Sequence, residues 1–271
     1  MTRTIAVANQ KGGVAKTTTV ASLAAALAEL DQRVLVVDLD PQGCLTFSLG
    51  LDPEDLAMSL HDVLLDRVSA RMAIVTTDDG VDLLPTTIEL AGTESALLGR
   101  TGREYVLRSA LDDVKGDYDW VFLDCSPSLG ILTVNALTAA DEVLVPLQCE
   151  TLSHRGVGQL LDTVRDVRLY TNRDLRVLGV LPTLYDGRTT HAKAVLADIA
   201  SRYELPVLLP PIAKSIRFAE APAAGRSVLA TAGRIRGADA YRTLARRLID
   251  GTATDPIDDP SLPAVLTARG A

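Results

Sequence analysis

The segment ANQKGGVAKTTTVASLAAALA, residues 8–28, decides the fold. It continues the strand-like run TIAVAN (residues 4–9), turns on Gly12 and Gly13, and enters an Ala-rich helical stretch at Lys16. A Gly-rich turn between a strand and a helix, closed by Lys-Thr, lets backbone N–H groups and a helix N-terminus cradle phosphate. The usual pattern, G-x-x-x-x-G-K-[ST], would put glycines where this chain has Gln10 and Ala15, and it has no role for Lys11. The chemistry survives these departures. Gly12 and Gly13 permit the turn, Lys16 supplies charge, and Thr17 supplies a hydroxyl for a divalent cation. Ala15 is the exception, since a left-handed backbone there would cost a residue with a Cβ about 1–2 kcal/mol.

Outward from this loop, short β-branched runs alternate with helical patterns. Strands are predicted in TIAVAN (4–9), RVLVVDLD (33–40), VDLLP (81–85), YDWVFLDCS (118–126), DEVLVPLQ (141–148) and LRVLGVLPTLY (175–185). Apolar residues every three or four positions predict helices in residues 16–30, 132–140 and 157–170. Near-continuous apolar strands separated by helices indicate a mostly parallel sheet covered on both faces, a doubly wound α/β fold. Such sheets bind ligands beyond the carboxyl ends of their strands. The loop, Asp38, Asp40 and Asp124 all fall at such ends.

Composition sets the outer bounds. The chain has 271 residues, 47% hydrophobic and 23% charged, which suits one soluble domain. Its apolar runs are strand-length, far short of the ~20 residues of a membrane span, and the strand-like N-terminus lacks a secretory pattern, so a cytoplasmic protein is expected. Cys44, Cys125 and Cys149 have neither metal-site nor disulfide spacing and read as buried thiols. The net charge of −8 is uneven: residues 1–179 carry −11, residues 180–250 carry +5 and residues 251–271 carry −2. A local basic surface on an acidic protein follows. The last 21 residues, GTATDPIDDPSLPAVLTARGA, are Pro-broken and predict a flexible tail after a single domain over 1–250.

KGGVAKTTT (11–19) is similar to the deviant Walker A motif, K-G-G-x-x-K-[ST], of the ParA/MinD group of P-loop ATPases. That resemblance implies ATP and Mg²⁺ as cofactors. It places Lys11, Gly12, Gly13, Val14, Ala15, Lys16, Thr17 and Thr18 around the nucleotide, with Pro211 from a later loop. Lys11 would be the signature lysine that reaches across an ATP-bound homodimer to the partner's phosphates, resembling an arginine finger supplied in trans. RVLVVDLDPQGCLT (33–46) resembles the Walker A′ segment, so Asp38 would assist at Mg²⁺ and the loop, and Asp40 would orient the attacking water. Pro41 holds Asp40 extended at the strand exit. YDWVFLDCSPSLGILTVNAL (118–137) resembles Walker B, with Asp124 aimed at Mg²⁺ beside Thr17. Ser126 and Pro127 depart from the two prolines often found in that loop.

Residues 180–242 resemble chromosomal ParA, with T-x-x-D-x-R-T, I-P-R-x-x-R-x-x-E-A-P-x-x-G and R-x-R-G-A. Arg188, Arg217, Arg234 and Arg236 match, Lys214 replaces an arginine, and Ala213 stands where a proline is usual. In the family, equivalent arginines bind double-stranded DNA without sequence preference once ATP has closed the dimer. A few cations per subunit bind phosphates weakly, and doubling them on one face multiplies affinity. The implied protein is nucleoid-associated and segregates DNA or positions cargo, hydrolysing ATP slowly under a ParB-like activator. Three other members of the superfamily bound this reading. A MinD-like membrane switch would need a basic amphipathic C-terminal helix, which the acidic tail does not offer. An iron-protein-like electron-transfer ATPase would need cluster cysteines, and Cys125 is better read as the variable residue of the Walker B loop. An orphan ParA carrying a different cargo has the same motifs. Glu220-Ala-Pro has no chemical role legible beyond positioning, and His154 reads as structural.

Overall fold

A computed structural model describes residues 2–151 and 153–267. Seven strands form one sheet: β1 (Arg3–Val7), β2 (Val34–Leu39), β3 (Val75–Thr76), β4 (Asp82–Leu84), β5 (Trp120–Cys125), β6 (Glu142–Gln148) and β7 (Arg176–Thr183). Their order is β3-β4-β2-β5-β1-β6-β7, and every pairing is parallel except β3 on β4. Six strands lie where the apolar runs predict them. β3 is two exposed residues of a hairpin, too short and too polar in setting to leave a hydrophobic signature.

Alternation within each apolar run divides the core. Ala6, Leu35, Val37, Val121, Leu123, Val143 and Val145 face one layer, built by helices Ile131–Ala139, Ser153–Tyr170 and Thr190–Tyr203. Ile5, Val7, Val34, Val36, Phe122 and Leu144 face the other, built by helices Lys16–Ala28 and Arg236–Asp250. Side chains alternate with a period of two, so a strand apolar at every position is one buried on both faces. The doubly wound prediction holds.

The first helix rests on the last one. Thr19 and Tyr241 share a buried hydroxyl contact at 3.0 Å, and Phe218 meets Tyr241 edge-on at 5.9 Å. Gly237 makes that junction possible, because a Cβ there would lie 2.5 Å from the Phe218 ring.

Where composition predicts a flexible tail, residues 251–267 lie against the body. Ala253 is buried in one core layer and Leu262 in the other, and the Leu209 N–H donates to the Ala253 carbonyl at 2.8 Å. Isolated apolar residues between prolines carry no periodic signal, yet each fills a gap at an element end. Residues 268–271 lie outside the described residues.

Candidate active site

The parallel register brings the predicted residues together. Asp38 and Asp124 are opposite one another across β2 and β5, and Val7, the last residue of β1, is opposite Asp124. The loop of residues 8–15 therefore rises from the strand beside the two carboxylates, at the edge where β1 sends its connection one way and β5 the other.

Within the loop, Gly13 (φ 73°) and Ala15 (φ 62°) are left-handed. Alternation of left-handed residues aims N–H groups into a concavity that fits an anion. Ala15 thus takes the conformation that Gly would hold without strain, at about 1–2 kcal/mol. Helix Lys16–Ala28 starts with neither an acidic residue in its first turn nor a side-chain cap, which leaves its N–H donors to an anion. Two residues that sequence reading passed over fix the loop. Asn9 donates to the Pro146 carbonyl at 2.8 Å and accepts from the Lys11 N–H at 3.0 Å, and the Thr183 hydroxyl donates to the Val14 carbonyl at 2.9 Å. The only sequence signal for them is a polar residue ending an apolar strand.

Lys16 is buried, and burial lowers its pKa, with Asp124 the main opposing influence. Asp124 is fully buried, and neither carboxylate oxygen has a well-formed hydrogen bond. Burial, then the neighbouring Asp38 charge, pushes its carboxyl well above the usual range; the Thr17 hydroxyl and Lys16 counter this only in part. A buried carboxylate without partners beside a hydroxyl fits a divalent cation that keeps waters and phosphate oxygens as its other ligands. Among the described residues, no group of three or more His, Cys, Asp or Glu could cage a metal alone.

Asp38 is differently placed. One oxygen accepts from both the Thr46 N–H and hydroxyl at 2.8 Å, the other from the Asp40 N–H at 3.1 Å. Burial raises its pKa to about 6 against those hydrogen bonds. Its carboxylate clamps the segment 40–46, leaving it less open than Asp124. Thr46, which sequence reading did not single out, is tied onward by the Thr86 N–H donating to its hydroxyl at 3.0 Å. Asp40 is half-exposed above the cleft and accepts from the Gln42 N–H at 3.1 Å.

Lys11 does not point at its own loop. Its ammonium donates to Glu150 at 2.5 Å, two residues past β6, and to Gln148, the last residue of that strand, at 3.3 Å. The cysteine reading needs one correction. Cys125 and Cys149 are buried, but Cys44, the first residue of the short helix Cys44–Ser48, is exposed.

The basic residues form two neighbouring groups. Arg188, Lys214 and Arg236 line a cavity of about 890 Å³ together with Pro211, while Arg217 and Arg234 line an adjoining one of about 530 Å³. Asp186 pairs bidentately with Arg188 at 2.8 and 2.9 Å, which holds the Asp186 carboxyl down at about 2. Arg217 pairs with Glu220 at 2.8 Å. Among the described residues, Lys214, Arg234 and Arg236 have no hydrogen-bond or ion-pair partner. The Glu220-Ala-Pro segment thereby acquires contacts: Glu220 holds Arg217, Ala221 is buried, and Gly225 abuts Gly50 so closely that a Cβ on Gly50 would lie 2.8 Å from the Gly225 carbonyl oxygen. His154 pairs with Asp198 at 3.2 Å, away from the carboxylates of the cleft.

Residues 2–177 match the family model described as an AAA domain. The chain is 43% identical over 249 residues to the sporulation initiation inhibitor protein Soj of Bacillus subtilis, covering 92% of this chain and 98% of Soj. It is 41% identical over 250 residues to the chromosome partitioning protein ParA of Caulobacter vibrioides, covering 91% and 94%. Among solved structures, it matches with TM-score 0.83 and 57% identity a Mycobacterium smegmatis protein called cobyrinic acid a,c-diamide synthase with bound ADP and magnesium, covering 94% of this chain and 98% of that one.

Proposed function

Because the chain belongs to the ParA/Soj family of P-loop ATPases, we propose that it is an ATP-driven dimerisation switch that binds duplex DNA without sequence preference and resets by slow hydrolysis. The observation that carries the nucleotide half is Asp124: a buried carboxylate with two unpartnered oxygens, facing the Thr17 hydroxyl below an uncapped helix N-terminus. Such a carboxyl group is held neutral by burial unless a cation completes its charged form. Bound Mg²⁺·ATP supplies the phosphoanhydride whose cleavage resets the switch. Backbone N–H groups of residues 12–17 and the Lys16 ammonium hold the phosphates, and Pro211, which lines the same cavity as Arg188, Lys214 and Arg236, is assigned to the rest of the nucleotide by the family resemblance alone. Thr17 and Asp124 hold the cation, while Asp38 fixes the segment that carries Asp40. Asp40 orients the water. Lys11 leaves Glu150 to serve the second protomer's phosphates.

The DNA half rests on Arg188, Lys214, Arg217, Arg234 and Arg236, three of them unpaired among the described residues. A ParB-like protein is the proposed activator, and the nucleoid the proposed location. No described helix is long and apolar enough to cross a membrane.

The test is DNA co-sedimentation with ATP, ADP and a slowly hydrolysed analogue. Wild type binds with ATP; Lys11→Ala and Arg217→Glu do not; Asp40→Ala binds persistently while its hydrolysis is lost. Equal binding with ADP and ATP refutes the switch. A second reading, an amide-forming ATPase, comes with the name of the Mycobacterium smegmatis protein. If ATP turnover rises with cobyrinic acid and ignores DNA, that reading replaces the first. Against it, burial raises the Cys125 and Cys149 thiols, and partial burial with the nearby Asp40 charge raises Cys44, whereas release of ammonia from glutamine by a thiol needs a thiolate.

A further inference from the structure

The C-terminal segment ends up on the surface assigned to DNA. Residues 251–267 contain three carboxylates, Asp255, Asp258 and Asp259, and no Lys or Arg. Asp259 and Ser261 line the same cavity as Arg188, Lys214 and Arg236. The approach is close: a Cβ on Gly187, next to Arg188, would lie 2.4 Å from Cβ of Ser261. Three anchors hold the segment there. The Lys193 ammonium donates to the Pro260 carbonyl at 2.8 Å, the Tyr185 hydroxyl donates to the Ser261 carbonyl at 2.9 Å, and Leu262 is buried. Asp259 accepts from the Ser261 N–H at 2.8 Å, so the turn itself presents the carboxylate.

We infer that residues 255–262 form an acidic strap that competes with DNA phosphates for the basic cavity and keeps a single protomer from binding. This inference deepens the proposed DNA-binding function and rests on it for the identity of the polyanion. The physical case is charge placement. Lys214 and Arg236 have no partner among the described residues, and Arg236 opens a 15-residue helix whose N-terminus adds positive potential to the cavity. The Asp259 carboxylate shares that lining, and a fixed charge within a Debye length, about 10 Å at 0.1 M salt, lowers the potential felt by an incoming phosphate. A dimer offers two such surfaces to one duplex, and that pairing multiplies affinity enough to offset the weakening the carboxylates impose on each protomer.

The test uses the full chain with Asp255→Asn, Asp258→Asn and Asp259→Asn together. Asn at 259 keeps the acceptor for the Ser261 N–H, and Asp259→Asn alone is the milder variant. The control is Asp112→Asn, Asp113→Asn and Asp117→Asn, which removes equal charge near the amino end of β5, opposite the strand ends that carry the site. Affinity for a random-sequence duplex is measured with ADP and with ATP, and elution salt is measured on a heparin column. The strap variant is expected to bind DNA about three- to tenfold tighter with ADP at ~0.1 M salt, and to elute from heparin at higher salt, with the gain fading by ~0.5 M. Asp259→Asn shifts the same way by less. Unchanged affinity and elution, or an equal gain in the control, overturns the strap. Heparin retention needs neither ATP nor a dimer, so it decides the strap even if wild type shows no ATP-dependent DNA binding, the result that sinks the proposed function instead.

Discussion

Glu150→Ala should make ATP-dependent dimerisation easier. In the single protomer the Lys11 ammonium sits on Glu150 and Gln148, and in the proposed dimer it must reach the partner's nucleotide. The ion pair is therefore an internal competitor. The side chains of Lys11 and Glu150 are 29% and 53% exposed, which puts the pair in the range of solvent-screened bridges, about 0.2–1 kcal/mol. Each dimer releases two pairs, about 0.4–2 kcal/mol together, so removing the carboxylate lowers the dimer Kd about 2- to 30-fold. Sedimentation velocity with a slowly hydrolysed ATP analogue reads that Kd directly, and Glu150→Gln, which keeps a hydrogen-bond acceptor, falls between wild type and Ala. A Kd that is unchanged or weaker in Glu150→Ala refutes the reasoning and makes Glu150 a contributor to the dimer. Lys11→Ala is the companion: it loses dimerisation with either residue at 150.

Three further outcomes follow from the geometry. Ala15→Gly removes a left-handed Ala and should raise nucleotide-free stability by up to about 1 kcal/mol in denaturant unfolding, less than the full strain because Gly also frees the unfolded chain. Gly50→Ala drives a Cβ to 2.8 Å from the Gly225 carbonyl oxygen at φ +89° and should lose about 1–3 kcal/mol, read by the same unfolding curves; retention of wild-type stability would mean the Gly50–Gly225 contact is not close in solution. The third is a pH dependence. Asp38 is raised from 3.8 to about 6 by burial, so its contribution to nucleotide-free stability is present below about pH 4 and lost as pH rises through about 6, by at most about 3 kcal/mol. Asp124 is shifted the same way. Mg²⁺·ADP should therefore raise the melting temperature more at pH 7.5 than at pH 5, and an equal shift at both would separate the cation from these carboxylates.

The strands and helices were legible because each rests on local pattern. Runs such as VLVV before Asp38 and VFL before Asp124 carry enough apolar surface to specify fully buried strands, and the sheet follows. The loop was legible because KGGVAKTTT places Lys and Thr at fixed spacing from a turn. What the chain itself could not display were contacts made across sequence distance: Thr46 on Asp38, Thr183 on Val14, Asn9 on Pro146, Gly225 on Gly50. Each is one small polar or glycine residue whose role exists only once two remote segments meet, and such residues look like ordinary turn or helix positions in isolation.

The motif KGGVAKTTT, with Asp38, Asp40 and Asp124 at strand ends, determined by itself the nucleotide-loop fold and the set of residues brought together at the cleft, because the type and spacing of those groups already fix the chemistry they can do. Tertiary structure alone decided three things about how they are used. It made Ala15 left-handed, since the loop must turn its N–H groups inward. It left Asp124 bare while saturating Asp38, since Thr46 reaches only one of two carboxylates paired across β2 and β5. It laid Asp259 and Ser261 into the lining shared with Arg188, Lys214 and Arg236, since Leu262 is buried and the Tyr185 hydroxyl holds the Ser261 carbonyl. Sequence pattern specifies which groups are available; packing decides which of them are free.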